Sequence, residues 1–364
     1  MVKDYDIYDT IIENERERAN KLPGNERVMW KRVEYSQNQI KKAGKTIVRD
    51  NLTSVEEEAA LEIINNWRAS HAFPLNTITM HLKRIADADM VVVQRLKRLD
   101  SIVGKLKRFP NMSLCAMQDL GGCRVIVNSV EDVYKVAERL KASRIRHILR
   151  EEYDYIQKPK QSGYRSFHLV YKYHSDRAED YNQNMLIEIQ IRTMIQHVWA
   201  TAVETMGIYT KSALKASFGD EEVLRFFALV SSVFSMYESG FNVPGTSDEL
   251  LELVDEIKKI DKEKNIVTAL SAIRVAIEHV KELKGQAYYI LILNYEKKTL
   301  KIHYYKKSQI DVATKSYDAI EKNKGKNIDA VLVSATSLDS LRAAYPNYFS
   351  DIGGFIETLR KILE

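Results

Sequence analysis

The chain has 364 residues, of which 45% are apolar and 29% are charged, and its net charge is +5. This composition is ordinary for a globular protein of two or three domains and excludes a polycationic chain. Its two cysteines, Cys115 and Cys123, exclude a disulfide framework and a cysteine-rich zinc site, which predicts a cytoplasmic protein. We expect no signal peptide and no membrane span, because the N-terminus is charged and no apolar run reaches about 18 residues.

Residues 1–90 are predicted to form an N-terminal helical region that packs on the core. Apolar residues recur at helical spacing in three segments, Val28–Ile40, Ser54–Ala69 and Phe73–Ala86. Thr53 and Glu56 form a capping box for the second of these helices. We expect packing roles for the residues of this region, including Trp67 and His71.

Residues 91–210 are predicted to form a mixed α+β core, in which helices flank a β-sheet. The predicted order is a basic helix, a buried strand, a helix, two more strands and a last helix. These elements are assigned to Gln94–Phe109, Cys123–Val127, Val130–Lys141, Phe167–Tyr173, Met185–Thr193 and His197–Thr205. In the strand Met185–Thr193, Glu188 and Gln190 alternate with isoleucines, which predicts a polar face above an apolar core.

The segment Asp154–His168 is predicted to be a loop that leads into a strand. Its sequence, DYIQKPKQSGYRSFH, contains Pro159 and Gly163, which do not suit a helix interior. The lysines and Tyr164 of such a loop are one way to hold the phosphates and the base of a nucleotide. The alternative is a solvated basic surface loop.

Two segments follow the core. Residues 211–284 are predicted to be a helical connector that either packs on the sheet or serves as a spacer, with helices over 221–239, 249–260 and 265–283. Residues 285–364 are predicted to form a small separate ββαβα domain with a final helix. The first two strands of this domain form a hairpin around a charged turn, Glu296–Lys298.

Four features of the core suggest nucleotide chemistry: the basic helix, Asp119, Tyr164 and Glu188. Asp119 lies next to a Gly-Gly pair just before a strand, where a carboxylate can hold the Mg²⁺ that accompanies a triphosphate. Basic side chains around it would neutralise phosphate charge. Glu188 could act as a general base, orient a hydroxyl, or simply pair with Arg192 on the same strand face.

Four motifs carry a resemblance to a known family. They are R-x-K-x-x-x-S-I-x-x-K-x-x-R over 95–108, D-L-x-G-x-R over 119–124, Y-I-x-K-P-K-x-x-G-Y-x-S-x-H over 155–168, and E-I-Q-I-R-T over 188–193. Together, over residues 90–210, they resemble the RelA/SpoT synthetase domain. The resemblance implies a nucleotidyltransferase-like fold that transfers the β,γ-pyrophosphate of ATP to a 3′-hydroxyl.

The resemblance also implies roles for single residues. ATP would be bound by Arg95, Lys97, Lys105, Arg108 and Arg124, with the adenine between Arg95 and Arg124. The acceptor would be bound by Lys160, Tyr164, His168 and Gln190, with Tyr164 stacked on the acceptor base. The catalytic residues would be Asp119 and Glu188, which would also be the Mg²⁺ ligands.

The acceptor is open between tRNA and a guanosine nucleotide. Alarmone synthetases of this family use GDP or GTP, whereas a toxin branch pyrophosphorylates the 3′-CCA end of tRNA. The first 90 residues lack an H-x-x-x-H-D-like cluster, so we expect no hydrolase activity. The acidic approach to the loop, ILREEYDYIQ, counts against guanosine-phosphate binding.

The sequence LRAAYPNYFSD, which contains Tyr345 and Tyr348, resembles the fused antitoxin of CapRel proteins. In that family a pseudo-zinc-finger places two tyrosines in the ATP site. The resemblance implies autoinhibition through Tyr345 and Tyr348 and release by a phage capsid-type protein. Pro346 should end the helix near Tyr345, so that Tyr348 projects outward. The alternative is that both tyrosines are core residues.

Three hypotheses follow. The first is a self-inhibited, ATP-dependent pyrophosphokinase that modifies tRNA in anti-phage defence. The second is an alarmone synthetase acting on GDP or GTP, with the C-terminal segment as a regulatory or oligomerisation module. The third is a nucleotide-binding sensor without catalysis, which the presence of both Asp119 and Glu188 disfavours.

Overall fold

The structure is a computed structural model, and it describes residues 12, 14–15, 30–213, 220–238, 240–272, 276–278, 287–294, 296–323, 325, 327–335, 337–345, 348 and 352–363. The strands are β1 Val91–Leu96, β2 Gly121–Val127, β3 Ile148–Asp154, β4 Phe167–Lys172, β5 Leu186–Thr193, β6 Ala276–Glu278, β7 Ala287–Asn294, β8 Thr299–Lys306 and β9 Ile328–Ala335. The helices are α1 Gln37–Thr46, α2 Ser54–Ser70, α3 Ala72–Ile85, α4 Leu99–Arg108, α5 Val130–Ala142, α6 Met194–Ala213, α7 Asp220–Tyr237, α8 Leu250–Lys264, α9 Ile266–Ala272, α10 Ile310–Asn323, α11 Leu338–Ala344 and α12 Gly353–Leu363. None of these helices is long and apolar enough to cross a membrane.

The strands form one mixed sheet in the order β3-β4-β5-β2-β1-β9-β7-β8-β6. Strand β2 is parallel to β5, and β6 is parallel to β8, whereas the other neighbours are antiparallel. Strand β1 also pairs with β9, through Gln94 opposite Ser334 and Arg95 opposite Val333. The predicted α+β class is therefore confirmed, and the strands of the C-terminal segment extend the sheet of the core.

Helices cover both faces of the sheet. On one face, helices α3 and α5 pack against β5, whose Ile187, Ile189 and Ile191 face this core as the alternation in that strand predicts, and α2 belongs to the same core. On the same side, α10 covers β7 and β9. On the opposite face, α11 packs on β1 and β9, and α6 packs on β5. That opposite face carries the polar side chains of the core strands.

Two predicted helices begin well after their predicted first residues. The basic helix predicted over Gln94–Phe109 begins only at Leu99, because Val91–Leu96 is strand β1, paired on both of its edges. The first helix begins at Gln37 instead of Val28, after a capping box between Ser36 and Gln39, and residues 30–36 are not helical. By contrast, the capping box of Thr53 and Glu56 on α2 is confirmed.

Two strands besides β1 escaped prediction. Ile148–Asp154, read as a connector, is strand β3, whose side chains are mostly exposed and which pairs only with β4. The helix predicted over 265–283 is α9, which ends at Ala272, and the strand Ala276–Glu278 follows it. The other residues of that predicted helix, 273–275 and 279–283, lie outside the described residues.

His71, at the junction of α2 and α3, should make the protein less stable at mildly acidic pH. Its Nδ1–H donates to the Trp67 carbonyl oxygen at 2.7 Å, and burial lowers its pKa to about 4. In the unfolded chain the His71 ring takes up a second proton near pH 6.5, whereas in the folded protein it stays neutral down to about pH 4. The free energy of unfolding is therefore at its full value above pH 6.5 and decreases as the pH falls to 4. The full loss is about 3 kcal/mol.

Urea unfolding of the wild type and of His71→Gln between pH 7 and pH 4 measures this effect. The variant should be less stable at pH 7 but should lose less stability on acidification. His174→Gln, at an exposed histidine, serves as the control and should follow the wild type. Equal pH dependence of His71→Gln and the wild type would contradict the assignment.

Candidate active site

A cleft lies across β1, β2 and β5, on the face opposite the isoleucine core. Arg95 of β1 is opposite Gly122 of β2, and Gly122 is in turn beside Glu188 of β5. Because Gly122 has no side chain, the floor between Arg95 and Glu188 is open. The cleft is lined by Arg95, Lys97, Asp119, Gly122, Cys123, Arg124, Glu188, Gln190 and Tyr345. The structure thus brings six of the predicted site residues, together with Tyr345, into one cleft.

Asp119 is held between two lysines at one end of the cleft. Its carboxylate oxygens accept hydrogen bonds from Lys97 Nζ at 2.7 Å and from Lys105 Nζ at 2.9 Å. Burial opposes ionisation, but the two lysines hold the pKa of Asp119 below its ordinary value. Burial also lowers the pKa of Lys97, against the influence of Asp119. This triad is therefore a compact set of charges with little access to water.

Glu188 is the second carboxylate of the cleft. Its Oε1 accepts a hydrogen bond from His168 Nδ1 at 3.0 Å, and its Oε2 accepts one from Gln190 Nε2 at 2.6 Å. Burial alone would raise the pKa of Glu188, but these donors and the charge of Lys105 lower it to about 2. Glu188 is therefore ionised at any physiological pH. It does not pair directly with Arg192, as one alternative reading of the sequence suggested.

The Glu188 hydrogen bonds belong to a closed ring. Arg192 Nη2 donates to Gln190 Oε1 at 2.7 Å and to the Tyr164 hydroxyl at 2.6 Å. The Tyr164 hydroxyl lies 2.7 Å from His168 Nε2 and forms a hydrogen bond with it. Every member thus fixes the orientation of its neighbour. Arg192, which was not predicted as a site residue, closes the ring, and the alternation of β5 already places it on the same face as Glu188.

The loop before β4 is fixed by α6 and α7. Gly163 has a φ of 87°, and a Cβ there would lie 2.8 Å from Trp199 and 3.0 Å from Ser231. Arg165 is buried and donates to Glu238 Oε2 at 2.6 Å. Helix α7 of the predicted connector therefore packs on the core and holds the loop that carries Tyr164.

Five predicted substrate-binding residues are not in the cleft lining: Lys105, Tyr164 and His168, which are hydrogen-bonded to the lining residues directly or through each other, and Lys160 and Arg108. Lys160 Nζ lies 4.1 Å from the centre of the Tyr155 ring and 5.3 Å from that of Tyr164. Arg108 is exposed in the last turn of α4, where its Nε makes a long bond of 3.4 Å to the Gly104 carbonyl oxygen. Their roles in binding substrate remain predictions.

Tyr345 enters the cleft from the C-terminal segment. Its ring is buried, and Arg124 Cζ lies 5.8 Å from the ring centre. The preceding helix end is held as well, since Arg124 Nη1 donates to the Ala344 carbonyl oxygen at 2.9 Å and His197 Nε2 to that of Ala343 at 2.7 Å. Carbonyls at a helix C-terminus need such donors.

Tyr348 does not project outward, so that prediction was wrong. Its side chain is buried, and its hydroxyl donates to Asp329 Oδ2 at 3.0 Å. Asp329 also pairs with Arg98, which precedes α4. These contacts, which are distant in sequence, outweigh the local effect of Pro346. Tyr348 thus fastens the C-terminal segment beside the cleft, and Tyr345 forms part of the cleft lining.

The two carboxylates fit a magnesium site that is completed by substrate. Asp119 and Glu188 line the same cleft and are close enough to influence each other electrostatically. Among the described residues, no group of three histidine, cysteine or acidic side chains forms a metal cluster. Mg²⁺ commonly binds one or two carboxylates and takes its other ligands from water and phosphate oxygens.

Comparisons with known proteins agree with this geometry. Residues 94–213 match the family model described as a region found in RelA / SpoT proteins. The chain is 38% identical over 118 residues to GTP pyrophosphokinase YjbM of Bacillus subtilis, and 36% identical over 115 residues to YwaC, which has the same description and comes from the same organism. These matches cover 32% and 29% of this chain and 55% and 52% of the relatives. The chain thus spans about half the length of these curated relatives.

The solved structures include small alarmone synthetase 1 from Bacillus subtilis bound to its product pppGpp. It is 27% identical, with a TM-score of 0.39, and the match covers 48% of this chain and 93% of that one. Together with the family match, the sequence relatives support a place for the region 94–213 in the RelA/SpoT synthetase family.

Proposed function

We propose that this chain is an ATP-dependent pyrophosphokinase that transfers the β,γ-pyrophosphate of ATP to a nucleotide 3′-hydroxyl. The observation that carries the proposal is the cleft itself, which is lined by the cations Arg95, Lys97 and Arg124 together with the carboxylates of Asp119 and Glu188. Phosphoryl-type transfer needs positioning and cationic stabilisation more than covalent chemistry. A cleft that joins cations to two ionised carboxylates meets that need, as the names of the relatives also suggest.

The residues of the cleft have different proposed roles. Asp119 and Glu188 would hold Mg²⁺, which supplies positive charge next to the triphosphate. Lys97 and Lys105, now paired with Asp119, would contact the phosphates, and the planar guanidinium groups of Arg95 and Arg124 suit an adenine ring. With a pKa of about 2, Glu188 is a weak base, which favours its role in orienting the acceptor hydroxyl over early proton abstraction.

Our first candidate acceptor is the 3′ end of tRNA, in a chain restrained by its own C-terminal segment. Tyr345 supports this proposal, because its ring lines the same cleft as Arg95 and Arg124, the residues proposed to hold the adenine, and lies 5.8 Å from Arg124 Cζ. A tethered side chain competes at high effective concentration. Such restraint suits an enzyme whose product stops translation, and a phage capsid-type protein that binds the undocked segment would release it.

The second candidate acceptor is GDP or GTP. The relatives favour it, since both are named GTP pyrophosphokinases, and one solved neighbour holds pppGpp. In that case the C-terminal segment would regulate alarmone synthesis.

A labelled-transfer assay distinguishes these possibilities. Full-length protein and Tyr345→Ala are incubated with Mg²⁺, γ-labelled ATP and either deacylated tRNA, GDP or GTP, and AMP release is measured in parallel. We expect AMP and labelled tRNA in equal amounts with Tyr345→Ala, and much less with the wild type. Transfer to GDP or GTP alone identifies an alarmone synthetase. Periodate-oxidised tRNA, which lacks the 3′-hydroxyl, is the acceptor control. Absence of AMP-coupled transfer to all acceptors from both proteins would overturn the proposal.

A further inference from the structure

A groove separate from the cleft lies between α2, α4 and α10. Its volume is about 660 Å³, and it shares no lining residue with the cleft. Helices α2 and α4 belong to the N-terminal region and the core, whereas α10 belongs to the C-terminal segment. At the contact between them, Arg68 Nη2 donates to Asp318 Oδ1 at 2.6 Å. The groove therefore exists only where the two parts of the chain meet.

The floor of the groove is apolar. Ile47 and Leu99 are buried there, and Leu61 and Val103 are half-buried. Gly104 is on the α4 wall, where a Cβ would meet no atom within 4 Å. The wall thus has space for a side chain from another molecule. An apolar floor of this kind accepts aliphatic side chains better than a wholly polar ligand.

The walls of the groove are strongly acidic. Its charged lining consists of six carboxylates against two lysines, although the whole chain has a net charge of +5. The carboxylates are Glu57, Glu58, Glu62, Asp100, Asp318 and Glu321, and the lysines are Lys107 and Lys322. Burial raises the pKa of Asp318, although Arg68 contacts its carboxylate.

We propose that this groove docks a basic amphipathic segment of a partner protein. Such a segment places aliphatic side chains on the floor and lysines or arginines against the acidic walls, as helices do when they bind in grooves. Charge complementarity of this kind selects the partner and speeds association. The same walls repel the phosphates of nucleic acids. A small polyamine would match the charge but would leave the apolar floor uncovered.

Docking should also stabilise the contact between the two parts of the chain. The segment would touch α10 on one side and α2 and α4 on the other, so it binds the joined arrangement better than the separated one. A ligand that prefers one arrangement shifts the equilibrium toward it. Because α10 and Tyr345 both belong to the C-terminal segment, a bound partner would also keep Tyr345 in the cleft. This consequence rests on the proposed function. The docking itself does not depend on that function.

Binding of a synthetic peptide tests the proposal on the full-length protein. The probe is a fluorescent 18-residue amphipathic helix with leucines on one face and lysines and arginines on the other, measured by anisotropy. We expect saturable binding and a higher melting temperature. The double variant Glu57→Lys/Glu58→Lys should weaken binding by about tenfold or more. Its matched control, Glu131→Lys/Glu138→Lys, makes the same charge change on the exposed surface of α5 and should bind like the wild type.

A second pair of variants separates shape from charge. Gly104→Leu fills the open wall without changing any charge and should weaken binding, whereas Gly207→Leu, at an exposed glycine of α6, should not. Both substitutions favour a helix, so folding should be preserved. Two results would overturn the proposal: equal binding by Gly104→Leu, the lysine double variant and the wild type, or equal binding of a glutamate-substituted peptide.

Discussion

Glu188→Gln should reduce pyrophosphate transfer by about 10³-fold while leaving the fold intact. The amide has nearly the same shape as the carboxylate, and its oxygen can still accept the hydrogen bond from His168. It carries no charge, however, so it can neither bind a metal ion strongly nor orient an acceptor hydroxyl as a charged acceptor. Glu188 is ionised, and hydrogen bonds from His168 and Gln190 orient its carboxylate. The substitution therefore removes the negative charge that these two donors stabilise.

The measurement is the initial rate of AMP-coupled transfer, made in the Tyr345→Ala background so that the cleft is open. Glu151→Gln makes the same chemical change on the exposed edge strand β3 and should retain full activity. Thermal unfolding of both variants checks the fold. If Glu188→Gln kept more than about a tenth of the rate, Glu188 would be a structural member of the ring and not a catalytic group.

The sequence predicted those parts of the candidate site whose conformation is determined by residues close to them in sequence. The alternation of Glu188 and Gln190 with isoleucines predicted which face of β5 carries the polar side chains of the candidate site, and the glycine at 163 indicated the loop. Arg95 was assigned to a helix because basic residues continue into α4 at helical spacing. Its strand conformation depends on pairing with Gly122 and Val333, which lie far away in sequence. A local pattern does not contain that information.

The same reason explains two other errors. Strand β3 has no apolar alternation, because its side chains are mostly exposed, and only its pairing with β4 defines it. Tyr348 was expected to point outward from a proline rule that considers only adjacent residues. Its burial depends on Asp329, nineteen positions away, and on Arg98 in the core. Contacts across the sheet thus decided the positions that local rules could not.

Tyr345→Ala should raise the affinity for ATP by about tenfold or more and increase the rate of transfer. The ring lies beside Arg124 and lines the cleft with Arg95, so ATP bound between the two arginines, as proposed, would have to displace it. The apparent dissociation constant is the intrinsic one divided by the fraction of open molecules. Removing the ring removes the competitor, and the lost packing also weakens docking of α11. Both effects favour ATP.

Tyr345→Phe distinguishes occupancy of the cleft from any role of the hydroxyl. The phenylalanine ring fills the same space, so this variant should bind ATP as weakly as the wild type. Binding of a non-hydrolysable ATP analogue by calorimetry is the appropriate measurement, since it requires no knowledge of the acceptor. If the alanine and phenylalanine variants bound the analogue with equal affinity, the ring would not be what excludes ATP.

Opening of the cleft need not separate the whole C-terminal segment from the core. Helix α12 places Phe355 against Phe227 and Phe234 of α7, and α7 in turn holds the loop of Tyr164 through Arg165 and Glu238. Complete removal of α12 would expose these aromatic rings and loosen the acceptor loop. The most economical route to an active enzyme is therefore a movement confined to α11 and Tyr345, with α12 left in place. Tyr345→Ala removes the ring and leaves α12 in place, so this variant should be active. A chain truncated before α12 loses the contacts that hold the loop of Tyr164, so it should not be active.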